Sequence, residues 1–312
     1  MAAHNGYIDR GGWDPIGSNN SCEICPSFEK INVSHRIAVT NPVVVNPWNG
    51  LRQFTAARIA LGRAGVSLPT APQLAFQLAH AQARDAVHQS LNVTALKQNL
   101  LAQLSLPESQ CLNLQSVAEN RSAYLKRPDW GRRLRDSSQK TLVEACALMD
   151  KNGLTASWDL AFVVVDGLSA LAIENNAVSF LNAAYPKFIN EGLSIAPLTI
   201  VEQGRVAIGD EVGEILRAKL VVVMIGERPG LSSPDSMGLY MTWEPKIGLT
   251  DERRNCISNI HKAGMSYAEA VRKLAYLISE ARVRQLTGVE LKDETDAAQL
   301  SKPAADQNFL LA

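Results

Sequence analysis

Residues 204–231 read GRVAIGDEVGEILRAKLVVVMIGERPGL, and the way this stretch ends decides the fold class. A short amphipathic segment leads into the apolar run 220–224, which stops abruptly at Gly226-Glu227-Arg228-Pro229-Gly230. A β-branched run with charge only at its mouth is the pattern of a parallel strand buried on both faces. In open α/β sheets the crevice outside the carboxyl ends of such strands is where ligands bind. A Glu-Arg pair between two glycines at that point is therefore the best candidate for a binding site.

Working outward, DLAFVVVDGLS (159–169) has the same character, a buried strand ending in an Asp-Gly turn. The turn accounts for Asp166 and Gly167 by itself, with the Asp free to cap the next helix. Residues 170–190 form the crossover helix, 193–201 a second strand, 211–217 a short helix, 219–226 a third strand and 237–243 a fourth. Ser266 and Glu269 make a capping box, opening a helix whose buried face carries Val271, Leu274, Ala275 and Ile278. Gly288 closes it.

Strands alternating with helices imply a parallel sheet covered by helices. Upstream the texture is helical. Residues 52–64 place Phe54, Ala57 and Leu61 on one face. Thr70 and Gln73 open a helix that runs to about residue 88. A third helix, 131–151, buries Leu142, Ala145, Cys146 and Met149. The predicted class is thus α/β: a Rossmann-like parallel-sheet domain over 154–290, preceded by a helical N-terminal domain over 46–153. Residues 1–45 read as a flexible extension and 291–312 as a polar tail.

The composition narrows the function. Thirty-one basic residues balance thirty-one acidic ones, so no net field favours nucleic acid or an anionic membrane. No run of 18 apolar residues is present, and the N-terminus lacks a signal-peptide pattern. Five scattered cysteines fit a reducing compartment, and Cys22-x-x-Cys25 has no second pair at zinc spacing. The expectation is a cytoplasmic protein with no metal ligand. The phosphate-cradling G-x-G-x-x-G, the G-x-x-x-x-G-K-[ST] loop and the G-x-S-x-G elbow are absent, which weighs against a nucleotide-dependent oxidoreductase. Residues 259–264, NIHKAG, miss the cobalamin signature D-x-H-x-x-G by one residue. Asn259 cannot supply the carboxylate that would strengthen His261 as a ligand.

Five stretches, taken as a set, resemble the small subunit of ethanolamine ammonia-lyase: FTAARIALGRAG (54–65), YLKRPDWGRRL (124–134), VVDGLSALAI (164–173), GRVAIGDEVGEILRAK with GERPGL (204–231), and NCISNIHKAG (255–264). The resemblance is colinear from about residue 50 to about 288. It implies one subunit of an adenosylcobalamin-dependent lyase that turns ethanolamine into acetaldehyde and ammonia by a radical mechanism. A TIM-barrel large subunit would hold the substrate, and this chain would hold the cobalamin at the subunit interface. The benzimidazole would stay on cobalt, and the chain would supply no catalytic group.

Matching motif positions puts the implied cofactor contacts on Val206, Glu227 and Cys256. Each also has a plainer reading: Glu227 paired with Arg228 or capping, Val206 as core, Cys256 as inert packing. The basic segment 124–134 reads either as an ion-pair network at a helix entry or as an anchor to the partner or cofactor. Arg58 and Arg63 present the same choice. A scaffold subunit that binds only protein is the remaining alternative. The first 45 residues depart from the family where some members carry an amphipathic extension linked to bacterial microcompartments; MAAHNGYIDRGGWDPIG has no apolar stripe, so encapsulation is unsupported.

Overall fold

A computed structural model describes residues 41–151, 153 and 157–295. The expectations for residues 1–40, including Cys22 and Cys25, and for 296–312 lie outside the described residues. The N-terminal part contains a two-stranded ribbon, β1 (Val43–Val44) with β2 (Arg63–Ala64), and a 3-10 segment Pro47–Phe54. Two helices follow, α1 (Thr70–His88) and α2 (Val93–Leu104), then β3 (Cys111–Gln115), α3 (Arg121–Lys126) and α4 (Asp136–Lys151). The remainder is β4 (Trp158–Val165), α5 (Ala170–Asn190), β5 (Leu198–Glu202), α6 (Ile208–Ile215), β6 (Ala218–Gly226), β7 (Met237–Trp243), β8 (Arg254–Ile260) and α7 (Tyr267–Arg284).

One six-stranded sheet, in the order β3-β5-β4-β6-β7-β8, forms the centre. β3, β5, β4 and β6 are mutually parallel, whereas β7 and β8 are antiparallel to their neighbours. The expectation of a parallel sheet therefore holds for four strands only, and the sheet is mixed. The reason lies in the connections. Parallel pairing needs a crossover of a dozen or more residues, usually a helix, while antiparallel neighbours can be joined by a short loop. The loops 227–236 and 244–253 are short and contain no α-helix.

The strands are buried on both faces because helices cover both. Along β4, Leu160, Phe162 and Val164 face a core shared with α2, α5 and α7, while Ala161, Val163 and Val165 face one shared with α4 and α6. Fully burying each of these larger side chains is worth roughly 1.5–3 kcal/mol, so the β-branched run itself drives sheet formation. β3 lies within the stretch read as a helical domain, yet it pairs with β5 from Cys111↔Leu198 to Gln115↔Glu202. Residues 46–153 are thus not helical throughout; they supply one edge of the central sheet.

Local differences have local causes. Residues 52–64 do not form an α-helix: the 3-10 segment ends at Phe54, and Leu51, Phe54 and Ile59 are exposed, with no buried face to stabilise one. α4 starts at Asp136, not at residue 131, after a separate 3-10 turn Trp130–Arg132. α7 is capped by Ser266, whose side chain accepts from the Glu269 N–H, and it ends at Gln285 in the left-handed region, before Gly288. Among the described residues no helix is long and apolar enough to cross a membrane.

Candidate functional site

The crevice lies where the chain reverses its direction across the sheet. α5 carries the chain from β4 to β5 on one side; α6 returns it past β4 to β6 on the opposite face. β4 and β6 are adjacent strands whose connections leave in opposite directions, which is the position where open α/β sheets hold ligands. A cavity of about 360 Å³ opens there, lined by Tyr124 of α3, Leu168 after β4, Arg205 and Val206 after β5, Ile225 and Gly226 at the end of β6, Glu227 and Arg228 after it, and Tyr240 of β7.

Each wall is fixed by backbone geometry. After β4 the chain turns through Asp166 and Gly167, the latter at φ +58°. Ser169, not Asp166, caps α5: its hydroxyl accepts from the Ala172 N–H at 3.1 Å and donates to the Pro234 carbonyl at 2.8 Å. A side chain at Gly226 would collide with the carbonyls of Ser169 and Asp166, so the glycine before Glu227 is required by the close approach of the two loops.

Behind the cavity sits a buried polar cluster. Asp166 is 1% exposed; its carboxylate accepts from the Gly204 N–H at 3.2 Å and faces the Arg121 guanidinium at 3.6 Å. Burial pushes the Asp166 carboxyl up to about 6, with Arg121 pulling the other way. Arg121 also donates to the carbonyls of Val87 and Gly167 at 2.6 and 2.7 Å. The Tyr124 hydroxyl donates to the Gly204 carbonyl at 3.1 Å. The guanidiniums of Arg205 and Arg121 lie 4.2 and 4.8 Å from the Tyr124 ring centroid, within cation–π range. Residues from α3 thus hold the loops that follow β4 and β5.

Two of the three sequence-predicted contacts, Val206 and Glu227, share the cavity. Val206 is half-buried and packs on the core beneath. Glu227 is not paired with Arg228. Its Oε2 accepts from the Ser236 hydroxyl and, at 3.3 Å, from the Asn259 N–H, while Oε1 has no donor among the described residues. Cys256 is exposed and does not line the cavity; it sits opposite Tyr240 in the β7–β8 register and interacts with the Tyr240 side chain. Burial raises the Tyr240 phenol above its usual range, and Cys256 and Glu227 add to the effect.

The basic segment divides. Arg127 pairs with Asp129 at 2.6 Å and Arg133 with Glu211 at 3.0 Å, as an ion-pair network at a helix entry would have them. Arg132 has no such partner among the described residues and lines two neighbouring cavities. His261 is buried, with Nε2 3.0 Å from Asn259 Oδ1. Cys146 is buried beside α6, as its helical spacing predicts. Tyr124, Arg121, Arg205 and Tyr240 were not singled out by the sequence, although Tyr124 and Arg205 stand inside two of the five quoted stretches.

The fold is that of an α/β protein with a crevice at the carboxyl ends of its central parallel strands. Residues 45–292 match the family model described as Ethanolamine ammonia-lyase light chain (EutC). The chain is 53% identical over 268 residues to the ethanolamine ammonia-lyase small subunit of Pseudomonas aeruginosa (strain LESB58), covering 86% of this chain and 95% of that one. With the Azotobacter vinelandii small subunit the identity is 52% over 272 residues, 87% of this chain and 97% of that one. The Xanthomonas campestris pv. campestris small subunit is 53% identical over 268 residues, 85% and 95% of the two chains. The chain belongs to the ethanolamine ammonia-lyase small-subunit family.

Proposed function

We propose that this chain is the cofactor-holding subunit of an adenosylcobalamin-dependent ethanolamine ammonia-lyase, which converts ethanolamine to acetaldehyde and ammonia with a TIM-barrel large subunit that binds the substrate. The observation that carries the reading is the placement of Val206 and Glu227 together in one cavity at the switch point of the sheet, in a chain of this family. The Rossmann-like unit is the doubly wound part of the sheet within 154–290, with β3 added at one edge and residues 121–133 completing its crevice.

The residues present fit a corrinoid's edge. A corrin is a flat apolar ring fringed with amides. Leu168, Val206 and Tyr240 offer apolar and aromatic surface, and the unpartnered Oε1 of Glu227 accepts from an amide NH₂. A cavity of about 360 Å³ lies at the small end of drug-sized sites, so it takes part of the ring and leaves the rest for a second subunit. Bound, the cofactor supplies radical chemistry through homolysis of its cobalt–carbon bond. This chain positions the ring and excludes water from one side; we assign it no catalytic group. Cys256 acts through Tyr240, fixing the far rim. The scattered cysteines support a cytoplasmic location.

The test is co-expression with a large subunit. The complex should release acetaldehyde and ammonia from ethanolamine only when adenosylcobalamin is added. Cofactor-independent release, or none with the cofactor present, would refute the reading.

A further inference from the structure

The crevice does not end at Val206. A second cavity of about 200 Å³ shares Arg205, Val206 and Tyr240 with the first and continues it toward Pro128, Arg132 and Asp251. The two form one groove. Glu227 supplies an acceptor in the first cavity, Arg205 lines both, and Arg132 adds a donor in the second.

The arginines here differ from others nearby. Arg127, Arg133 and Arg254 each pair with a carboxylate. Among the described residues Arg132, Arg205 and Arg228 pair with none. Asp251, the acidic group of the second cavity, is engaged by Arg254 Nε at 3.2 Å. Arg205 is also held in place: its guanidinium lies against the Tyr124 ring, one terminal nitrogen donates to the Tyr124 carbonyl at 3.4 Å, and its backbone N–H is fixed to the Gly131 carbonyl. Its Nε is buried with no hydrogen-bond partner among the described residues. A buried donor left unmet costs stability, and Arg205 lines both cavities, where an anion can reach its guanidinium. Guanidinium is suited to planar, bidentate recognition of phosphate oxygens.

We propose that Arg205, assisted by Arg132, is a subsite for a phosphate anion, and that the occupant is the phosphodiester of the corrinoid's nucleotide loop. This rests on the reading of the crevice as a cobalamin site. Amides of the ring meet Glu227 while the phosphate, carried on a side chain of the same ring, reaches Arg205 and Arg132. The groove thereby distinguishes a complete corrinoid from one that lacks the nucleotide loop.

The experiment is a visible-absorbance titration of the complex with its large subunit, using cyanocobalamin, cobinamide phosphate and cobinamide. Arg205→Gln should raise Kd about tenfold or more for the two phosphate-bearing corrinoids and leave cobinamide within about twofold, since one charge-assisted contact is lost. Arg205→Lys should retain part of the affinity, and Arg132→Gln, at an exposed position, should give a smaller loss with the same selectivity. Inorganic phosphate should compete with cyanocobalamin and not with cobinamide. Equal weakening of all three corrinoids would show Arg205 to be a structural residue only and overturn the proposal, as would no change in any. If the wild-type complex bound no corrinoid, the cobalamin reading itself would fall, a separate outcome.

Discussion

The Asp166 carboxylate and the Arg121 guanidinium face each other at 3.6 Å, both buried, at the carboxyl end of the central strand. They join the loop after β4 to α3, and through the Gly204 N–H to the loop after β5. The walls of the candidate site are thus set in part by a buried polar cluster whose Asp166 and Arg121 do not line the cavity.

That cluster has a pH signature. Asp166 titrates at about 6 in the folded chain against 3.8 as its ordinary value. Between those pH values the folded state retains a proton that the unfolded state has lost. The stability it contributes is fully present below about pH 4 and is lost as pH rises through 6, on the order of 3 kcal/mol. In denaturant unfolding across pH 4–6.5, Asp166→Asn should remove this part of the decline. Parallel pH profiles for the two proteins would contradict it.

Arg254 and Asp210 form a bidentate pair at 2.6 and 2.8 Å, each 2% exposed, tying β8 to α6. Removing one partner strands a buried charge. Arg254→Met should therefore cost about 3–5 kcal/mol, and the double variant with Asp210→Leu should recover much of it. Guanidinium unfolding of the three variants measures this; an additive double variant would show that the pair is not coupled.

Gly226 is predicted to tolerate no side chain, because Ser169 and Asp166 carbonyls occupy the space where a Cβ would stand. Gly226→Ala should destabilise by about 1–3 kcal/mol and weaken corrinoid binding, since Glu227 shifts with the backbone. Wild-type stability and affinity in this variant would show that the loops separate freely.

The sequence carried the interior of the sheet well and its margins poorly. α5 and β7 have the bounds that periodicity predicts, and β6 differs by one residue, because strands and helices buried on both sides leave unmistakable apolar runs. β3, CLNLQ, and β8, RNCISNI, are the two edge strands; polar residues on their outer sides disguise them. The expected helix 52–64 shows the converse, a helical spacing of apolar residues with nothing to bury it. In the site, the position of Glu227 at a strand's end is legible in the apolar run before it, whereas Val206 comes from motif position in the family resemblance; the structure brings the two into one cavity. The Tyr124 and Arg121 contributions were not: the contact from the Tyr124 hydroxyl to Gly204 spans 80 residues of sequence, and nothing local announces it.

The most direct measurement is the affinity of the assembled enzyme for cobalamin with and without the Glu227 carboxylate. Glu227→Ala should assemble with the large subunit as the wild type does and bind cyanocobalamin about tenfold more weakly, the effect of losing one charge-assisted hydrogen bond. An unchanged affinity in an intact complex would contradict the assignment of this crevice to the cofactor.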